Sequence, residues 1–161
     1  MTDTPKCRYE IDLTAPRLHV DAPHIETRPL TSGDRDALAE LLLDAYIGTI
    51  DYEGETISEA EAAVDDWLDD YPLLEHSYGA VLDGDLVSAL LATTLDGAPF
   101  ISIVMTSASH TGAGLGRGVT EATIQSLRDD GYQRVALYIT EGNIPSELLF
   151  ASCGAAPVRC R

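Results

Sequence analysis

The chain is poor in positive charge. Among 161 residues, Lys and Arg total 10 against 27 Asp and Glu, for a net charge of -17, and Lys6 is the single lysine. A surface that grips a phosphate backbone needs clustered Lys and Arg, so nucleic acid is excluded as a partner. An acidic field instead attracts cationic ligands such as amines, and it also keeps a protein soluble. Cysteine is scarce: Cys7, Cys153 and Cys160 are odd in number and lack C-x-x-C spacing. A disulfide framework and a zinc knuckle are both poor readings, and a reducing, cytoplasmic compartment is the simplest expectation. No apolar run nears the roughly 18 residues of a membrane span, and Met1 to Pro16 has no signal-peptide core, so no membrane association is expected. No metal-ligand spacing, no Ser/His/Asp arrangement and no internal repeat stands out. Apolar residues make up 45% of the chain, enough at this length for one ordinary globular core.

Residues 1–24 hold three prolines and two short alternating pieces, and they predict an N-terminal arm or edge strand. Residues 25–161 then read as a single domain. Ile25 to Leu30 is a short strand stopped by Pro29. Thr31-x-x-Asp34 caps a helix whose apolar positions include Leu38, Leu41, Leu42 and Ala45. A second helix is expected from Ser58, with Ser58-x-x-Glu61 as its capping box. Its stripe is Ala60, Ala63, Val64, Trp67 and Leu68, opposite an acidic face of Glu59, Asp65, Asp66, Asp69 and Asp70. From Tyr78 the period changes to two. Asp83-Gly84 and Asp96-Gly97 turns divide residues 78–106 into an antiparallel meander ending in Phe100–Thr106. A glycine-rich loop, Gly112 to Gly118, leads into a helix with a stripe of Leu115, Val119, Ala122, Thr123 and Leu127, leaving Ile124 off it. Gly131 closes that helix. Val135–Ile139 is a strand, so strand–helix–strand implies a parallel crossover beside the meander. Pro145 to Cys153 is a short last helix, and the tail has room for one strand.

The informative stretch runs from Val104 to Arg117, with glycines at 112, 114 and 116 between a strand and a helix. Main-chain N–H groups at a helix start are unpaired and partly positive, and glycines let a phosphate approach them. This cradle needs no lysine. Neither common nucleotide motif is complete: no third glycine finishes G-x-G-x-x-G, and no Gly-Lys pair exists for a P-loop. For the glycines alone, a simple change of chain direction is an equally good reading.

The order of elements decides between them. Strand, two helices, antiparallel meander, glycine loop, helix, strand and short helix resemble the GNAT superfamily of N-acetyltransferases. Thr111-Gly112-Ala113-Gly114-Leu115-Gly116 is similar to that family's R/Q-x-x-G-x-G/A loop. Asn143, followed by Leu149-Phe150-Ala151-Ser152-Cys153-Gly154-Ala155, is similar to its closing segment, and Arg28-Pro29 resembles the start of many such domains. The resemblance covers about residues 25–155. It implies an α/β (α+β) fold: a mixed, mostly antiparallel sheet with a splayed parallel strand pair and helices on both faces.

The resemblance also implies acetyl-CoA as cosubstrate, lying between Phe100–Thr106 and Val135–Ile139. Val104, Met105 and Thr106 would hold the pantetheine arm and the thioester carbonyl through their main chain. Gly112, Ala113, Gly114, Leu115, Gly116 and Arg117 would wrap the pyrophosphate, with His110 shaping the loop. Asn143 would bond the pantetheine chain, bordered by Ser146 and Phe150. Two departures stand out. Thr111 replaces the usual Arg or Gln, and Phe150 replaces a tyrosine that in many members protonates the departing thiolate. The tail after Gly154 is short for the family's closing strands. The N-terminal arm is a candidate for that position, from the same chain or from a homodimer partner.

The family builds its acceptor side around the first two helices, here Tyr46 to Glu55. Asp51, Glu53 and Glu55 are candidates to hold an ammonium group and take its proton, with Asp51 and Glu53 preferred. An alkyl amine near pKa ~10 must lose a proton before it attacks. Equally, such a cluster can be a solvated acidic loop. Tyr138 and Thr140, at the end of the parallel strand, are candidate proton relays, whereas His76, just before the meander, has no visible partner. The expected activity is acetyl transfer to a primary amine of a small molecule or peptide. The alternative is a CoA-binding sensor or partner-binding domain with little catalysis.

Overall fold

The computed structural model describes residues 5–15, 25–47, 49 and 52–160. In chain order the elements are β1 (Lys6–Asp12), β2 (Thr27–Pro29), α1 (Arg35–Tyr46), α2 (Ile57–Asp69), β3 (Tyr78–Leu82), β4 (Asp85–Leu95), β5 (Ala98–Thr106), α3 (Leu115–Asp129), β6 (Arg134–Thr140), α4 (Ile144–Ser152) and β7 (Ala155–Cys160). The strands form one mixed sheet in the order β2-β3-β4-β5-β6-β1-β7. All neighbours are antiparallel except β5 and β6. Helices cover both faces. One core joins the sheet to α3 and α4 through Val119, Ile124, Leu127 and Phe150. The other joins it to α1 and α2 through Leu38, Leu42, Val64 and Trp67. Trp67 is held in place by its indole N–H, which donates to the Ala92 carbonyl at 2.8 Å.

The meander follows its turn chemistry. Asp83, Gly84, Asp96 and Gly97 all have positive φ, as two-residue hairpin turns require. The capping box at Thr31 and Asp34 forms as expected and opens a short 3-10 turn before α1. Asp34 also takes both guanidinium nitrogens of Arg28, at 2.9 and 2.8 Å.

Four expectations need correction. The cap of α2 is Thr56, with Glu59 as its reciprocal partner, rather than Ser58 with Glu61. Thr56-x-x-Glu59 has the same pattern two residues earlier, and Glu61 pairs instead with Arg35 of α1, which also holds Asp65. Ile124 is fully buried, because the buried stripe of α3 runs through Thr120, Thr123, Ile124 and Leu127, with Ala122 at its margin. His76 has partners. Its ring nitrogens lie 2.7 Å from the Ser126 hydroxyl and 3.0 Å from an Asp130 carboxylate oxygen, and Tyr132 packs edge-on against the ring. These contacts pin the segment before β3 to the C-terminal half of α3.

The fourth correction concerns the N-terminus. β1 is an interior strand, antiparallel to β6 on one side and to β7 on the other. It fills the position that the short tail leaves open, from within the same chain. Ile11 is buried against the α3 side of the sheet, which repays the ordering of this segment. The same register sets Cys7 opposite Cys160. Cys7 is disulfide-bonded, while Cys153 is a buried thiol outside any disulfide. The cysteine count therefore carries no argument for a reducing compartment. Among the described residues no helix is long and apolar enough to cross a membrane.

Candidate active site

The site begins where two parallel strands part. β5 and β6 pair only at Phe100↔Ala136 and Ile101↔Leu137, yet β5 continues to Thr106 and β6 to Thr140. The cause is visible on the other edge of β5. Its register against β4 steps from Ala92↔Ile101 to Leu91↔Ile103, so Ser102 is an extra residue. A bulge of this kind bends its strand and increases local twist. Beyond it, among the described residues, nothing pairs with the edge of β5 that would face β6. Val104, Met105 and Thr106 lie on this stretch. Met105 is buried against the α1–α2 core, Val104 packs toward the α3 core, and the Thr106 hydroxyl meets Ser88 at 2.9 Å. Their side chains are thus spoken for, and only their main chain is offered to the fork.

The glycine loop closes one side of the fork. A 3-10 turn, Ala108–His110, leaves β5, anchored by its Ala108 N–H donating to Asp44 of α1 at 2.9 Å. The His110 ring meets the Ser109 hydroxyl at 3.1 Å, consistent with shaping the loop. Gly112 and Gly114 have φ of 81° and 79°, a region costly for residues with a Cβ. Gly114 is the N-cap of α3 and, having no side chain, leaves the helix without a side-chain cap. A Cβ on Gly116 would sit 3.4 Å from the Thr106 hydroxyl and 3.5 Å from Leu149. The start of α3 is therefore seated against the end of β5. The first main-chain bond of the helix runs from the Gly118 N–H to the Gly114 carbonyl. Among the described residues, nothing accepts from the amides of Leu115, Gly116 and Arg117. Arg117 adds a buried Nε with no hydrogen-bond partner. Buried donors in native proteins almost always find acceptors. Uncapped amides, a positive dipole end and an orphaned guanidinium N–H together suit a diphosphate.

Asn143 and Ser146 stand at the start of α4. The Asn143 side-chain oxygen accepts from the Ser146 N–H at 3.3 Å and so caps that helix. Phe150 is 4% exposed and lies in the core. It fills space there and supplies no proton.

Tyr138 is the first residue of β6 past the last pair with β5. Its neighbours Leu137 and Ile139 belong to the core under α3 and α4, so alternation puts Tyr138 on the opposite face. Its ring lies 5.7 Å from that of Phe100. On that same face, α1, α2 and β5 enclose a pocket of about 150 Å³. Leu42, Tyr46, Ala63 and Ile103 give it an apolar lining, and Glu55 and Glu59 supply carboxylates. Ile103, which lines it, belongs to the splayed part of β5 and packs on the side away from α3. Glu53 is exposed and does not line it. Its N–H donates to Glu55 at 2.9 Å. Asp51 lies outside the described residues. Of the three carboxylates the sequence singled out in this loop, Glu55 is the one, among the described residues, that lines the pocket. Glu59 was legible as part of an acidic helix face, but its proximity to Ile103 was not. A larger, polar hollow of about 310 Å³, lined by Glu10, Asp12 and Arg134, lies at the opposite end of β6.

A parallel fork with a glycine-capped helix at its mouth is a distinctive arrangement, and the acetyltransferase (GNAT) family pattern matches residues 35–155. The chain belongs to this family. No curated protein matches it. A GCN5-related N-acetyltransferase from Sphaerobacter thermophilus has a similar structure, with a TM-score of 0.75 and 19% identity over 97% of this chain and 49% of that one. A GNAT-family acetyltransferase from Colwellia psychrerythraea superposes with a TM-score of 0.71 and 13% identity, over 99% of this chain and 54% of that one. The chain spans about half the length of these two proteins. The diaminobutyrate acetyltransferase EctA from Paenibacillus lautus, in complex with L-2,4-diaminobutyric acid and coenzyme A, has a TM-score of 0.62 and 17% identity, over 81% of this chain and 74% of that one. At such identities the likeness fixes the GNAT fold, and the residues of this chain must carry the rest.

Proposed function

We propose that the chain transfers an acetyl group from acetyl-CoA to a primary amine by direct attack, without a covalent enzyme intermediate. The observation that carries this reading is the uncapped start of α3, seated beside the unpaired edge of β5. Acetyl-CoA, when bound, supplies an activated acyl group and a thiol leaving group. The main chain from Gly112 through Ala113 and Gly114 to Leu115, Gly116 and Arg117 holds the diphosphate, with Arg117 adding charge. The free edge of β5 at Val104, Met105 and Thr106 holds the pantetheine arm, with Asn143 and Ser146 on the other side. One amide of that edge faces the carbonyl oxygen as negative charge develops on it. A preorganised donor of this kind is worth about 3 kcal/mol in the transition state.

On the acceptor side, Glu55 and Glu59 hold the ammonium and remove one proton from it, while Asp51 and Glu53 add to the attracting field. The free amine then forms the C–N bond as the C–S bond breaks. Its second proton passes by way of the Tyr138 hydroxyl or water to the departing sulfur. Thiols titrate near ~8.5, so the leaving group needs no strong acid, and Phe150 in place of a hydroxyl is tolerated. Catalysis then rests on positioning and main-chain electrostatics.

The test pairs binding with turnover. CoA at ~100 times its Kd should stabilise the fold by about 2.7 kcal/mol, and acetyl-CoA should be consumed in the presence of a primary amine. Stabilisation without turnover on any amine would instead assign the chain to CoA sensing or partner binding. No stabilisation would remove the cofactor site altogether.

A further inference from the structure

The pocket between α1, α2 and β5 has a chemistry of its own. Its walls are aliphatic, apart from Tyr46 and two carboxylates. Nearby, Arg35 of α1 engages Asp36, Glu61 and Asp65, and Arg28 engages Asp34. The carboxylates that line the pocket, Glu55 and Glu59, have no such partner among the described residues. Their hydrogen bonds run to the Glu53 N–H and to Thr56, and among the described residues neither forms an ion pair. Two carboxylates without a cation at the edge of an apolar hollow complement a molecule with one positive end and an apolar body. The hollow also limits size. An apolar cavity of about 150 Å³ accommodates a benzene-sized body.

We infer that the acceptor is a monocationic primary amine carried on a compact apolar group of about six carbons, without an acidic substituent. The inference rests on the acetyl-transfer reading and specifies its substrate class. The apolar group fills the space between Leu42, Ala63 and Ile103. The ammonium lies at Glu55 and Glu59, toward the fork. An amino acid of the same bulk is rejected because its carboxylate would meet two others. A linear polyamine leaves the apolar space unfilled and brings surplus charge against it.

The experiment compares four amines with acetyl-CoA: 2-phenylethylamine, ethylamine, phenylalanine and spermidine. The expected result is a kcat/KM for 2-phenylethylamine at least about tenfold above ethylamine, the worth of burying its ring. Phenylalanine should fall further below, and spermidine should not exceed ethylamine. Calorimetry should show 2-phenylethylamine binding in the presence of CoA. Ala63→Phe should raise the KM for 2-phenylethylamine about tenfold or more by occupying its space, while the KM for acetyl-CoA stays put. Glu55→Gln, which preserves the shape, should weaken binding of the amine and leave CoA binding intact. Equal or better turnover of phenylalanine, ethylamine or spermidine would overturn the inference and leave acetyl transfer standing. So would an Ala63→Phe enzyme that is folded and unchanged toward 2-phenylethylamine. Absence of any CoA-dependent stabilisation would overturn the acetyl-transfer reading, and the inference with it.

Discussion

The two sides of the fork are built from different materials. On the α3 side the groups we assign to ligand binding are main-chain amides, set by positive φ at Gly112 and Gly114 and by the seating of Gly116 against β5. On the α1–α2 side they are side chains: two glutamates and a handful of aliphatic residues around a hollow. The helix starts make the same contrast. Thr56 and Asn143 cap α2 and α4 with side-chain oxygens, whereas α3 has only a left-handed glycine. A cap uses up the amides that an anion would need, so a helix start without one keeps them available to a ligand. A main-chain site tolerates side-chain drift, so Thr111 can stand where the family resemblance leads one to expect Arg or Gln. A side-chain pocket, by contrast, can change its preference with one substitution.

The sharpest way to break this comparison is to alter backbone freedom without adding bulk. Gly112 and Gly97 both have positive φ, and a Cβ on either would meet nothing within 4 Å. Alanine therefore imposes a similar local strain at both, on the order of 1 kcal/mol. Gly97→Ala, in the hairpin turn, should lower the melting temperature slightly and leave CoA affinity alone. Gly112→Ala should cost about the same stability but weaken CoA at least ~100-fold, because several amides shift together. Equal CoA affinity in the two variants would show that the loop does not work through its main chain.

A smaller effect is expected at the one side chain on the α3 wall that we assign to the anion. Arg117 contributes a buried Nε that has no hydrogen-bond partner among the described residues. Hydrogen bonds to charged groups contribute about 1.5–3 kcal/mol, so Arg117→Ala should weaken CoA by about tenfold or somewhat more. Because the orphaned donor is the Nε, Arg117→Lys should not restore affinity. The variant's melting temperature without ligand should hold or rise, since an unsatisfied buried group is removed. An affinity unchanged by Arg117→Ala would leave the amides alone responsible for the grip.

Most of this organisation is local, and local organisation is legible in a sequence. Asp-Gly pairs fixed the hairpins, the T-x-x-D box fixed the entry to α1, and glycine spacing marked the turn into α3. What escaped is what depends on distant contacts. β1 required Ile11 to find the core beside β6, and nothing between residues 7 and 160 announces that Cys7 and Cys160 share a register. His76 is bonded to residues some fifty positions away on α3. Two overlapping capping patterns, Thr56-x-x-Glu59 and Ser58-x-x-Glu61, cannot be ranked locally. Arg35 ranks them by engaging Glu61 from another helix. The pocket was hidden for the same reason. Ile103, Leu42 and Ala63 each read as ordinary core residues, and only their packing leaves a hollow.

The smallest predicted effect concerns how the acceptor wall is held up. Asp34 precedes α1 and carries three supports: the bidentate Arg28 guanidinium and the Thr31 N–H at 2.8 Å. The Arg28 hydrogen bonds, more than offsetting partial burial, hold its carboxyl below the usual carboxylate range. A carboxyl with a depressed pKa stabilises the fold above its unfolded value of ~3.9, and that contribution drains away as pH falls through the folded value. Arg28 is partly exposed, so the pair is screened and its worth is modest, on the order of 1 kcal/mol together with the cap. Asp34→Asn keeps an oxygen able to accept from the Thr31 N–H but loses the charge. Its stability should therefore lie slightly below that of the parent at pH 7, and the two should converge as pH falls through the depressed folded value of the Asp34 carboxyl. CoA affinity at neutral pH should not change, because the cradle at α3 owes nothing to this carboxylate, whereas the KM for an amine should rise if α1 loosens. Parallel loss of CoA and amine affinity in Asp34→Asn would mean that the two walls are one mechanical unit, and that their separate construction has no separate consequence.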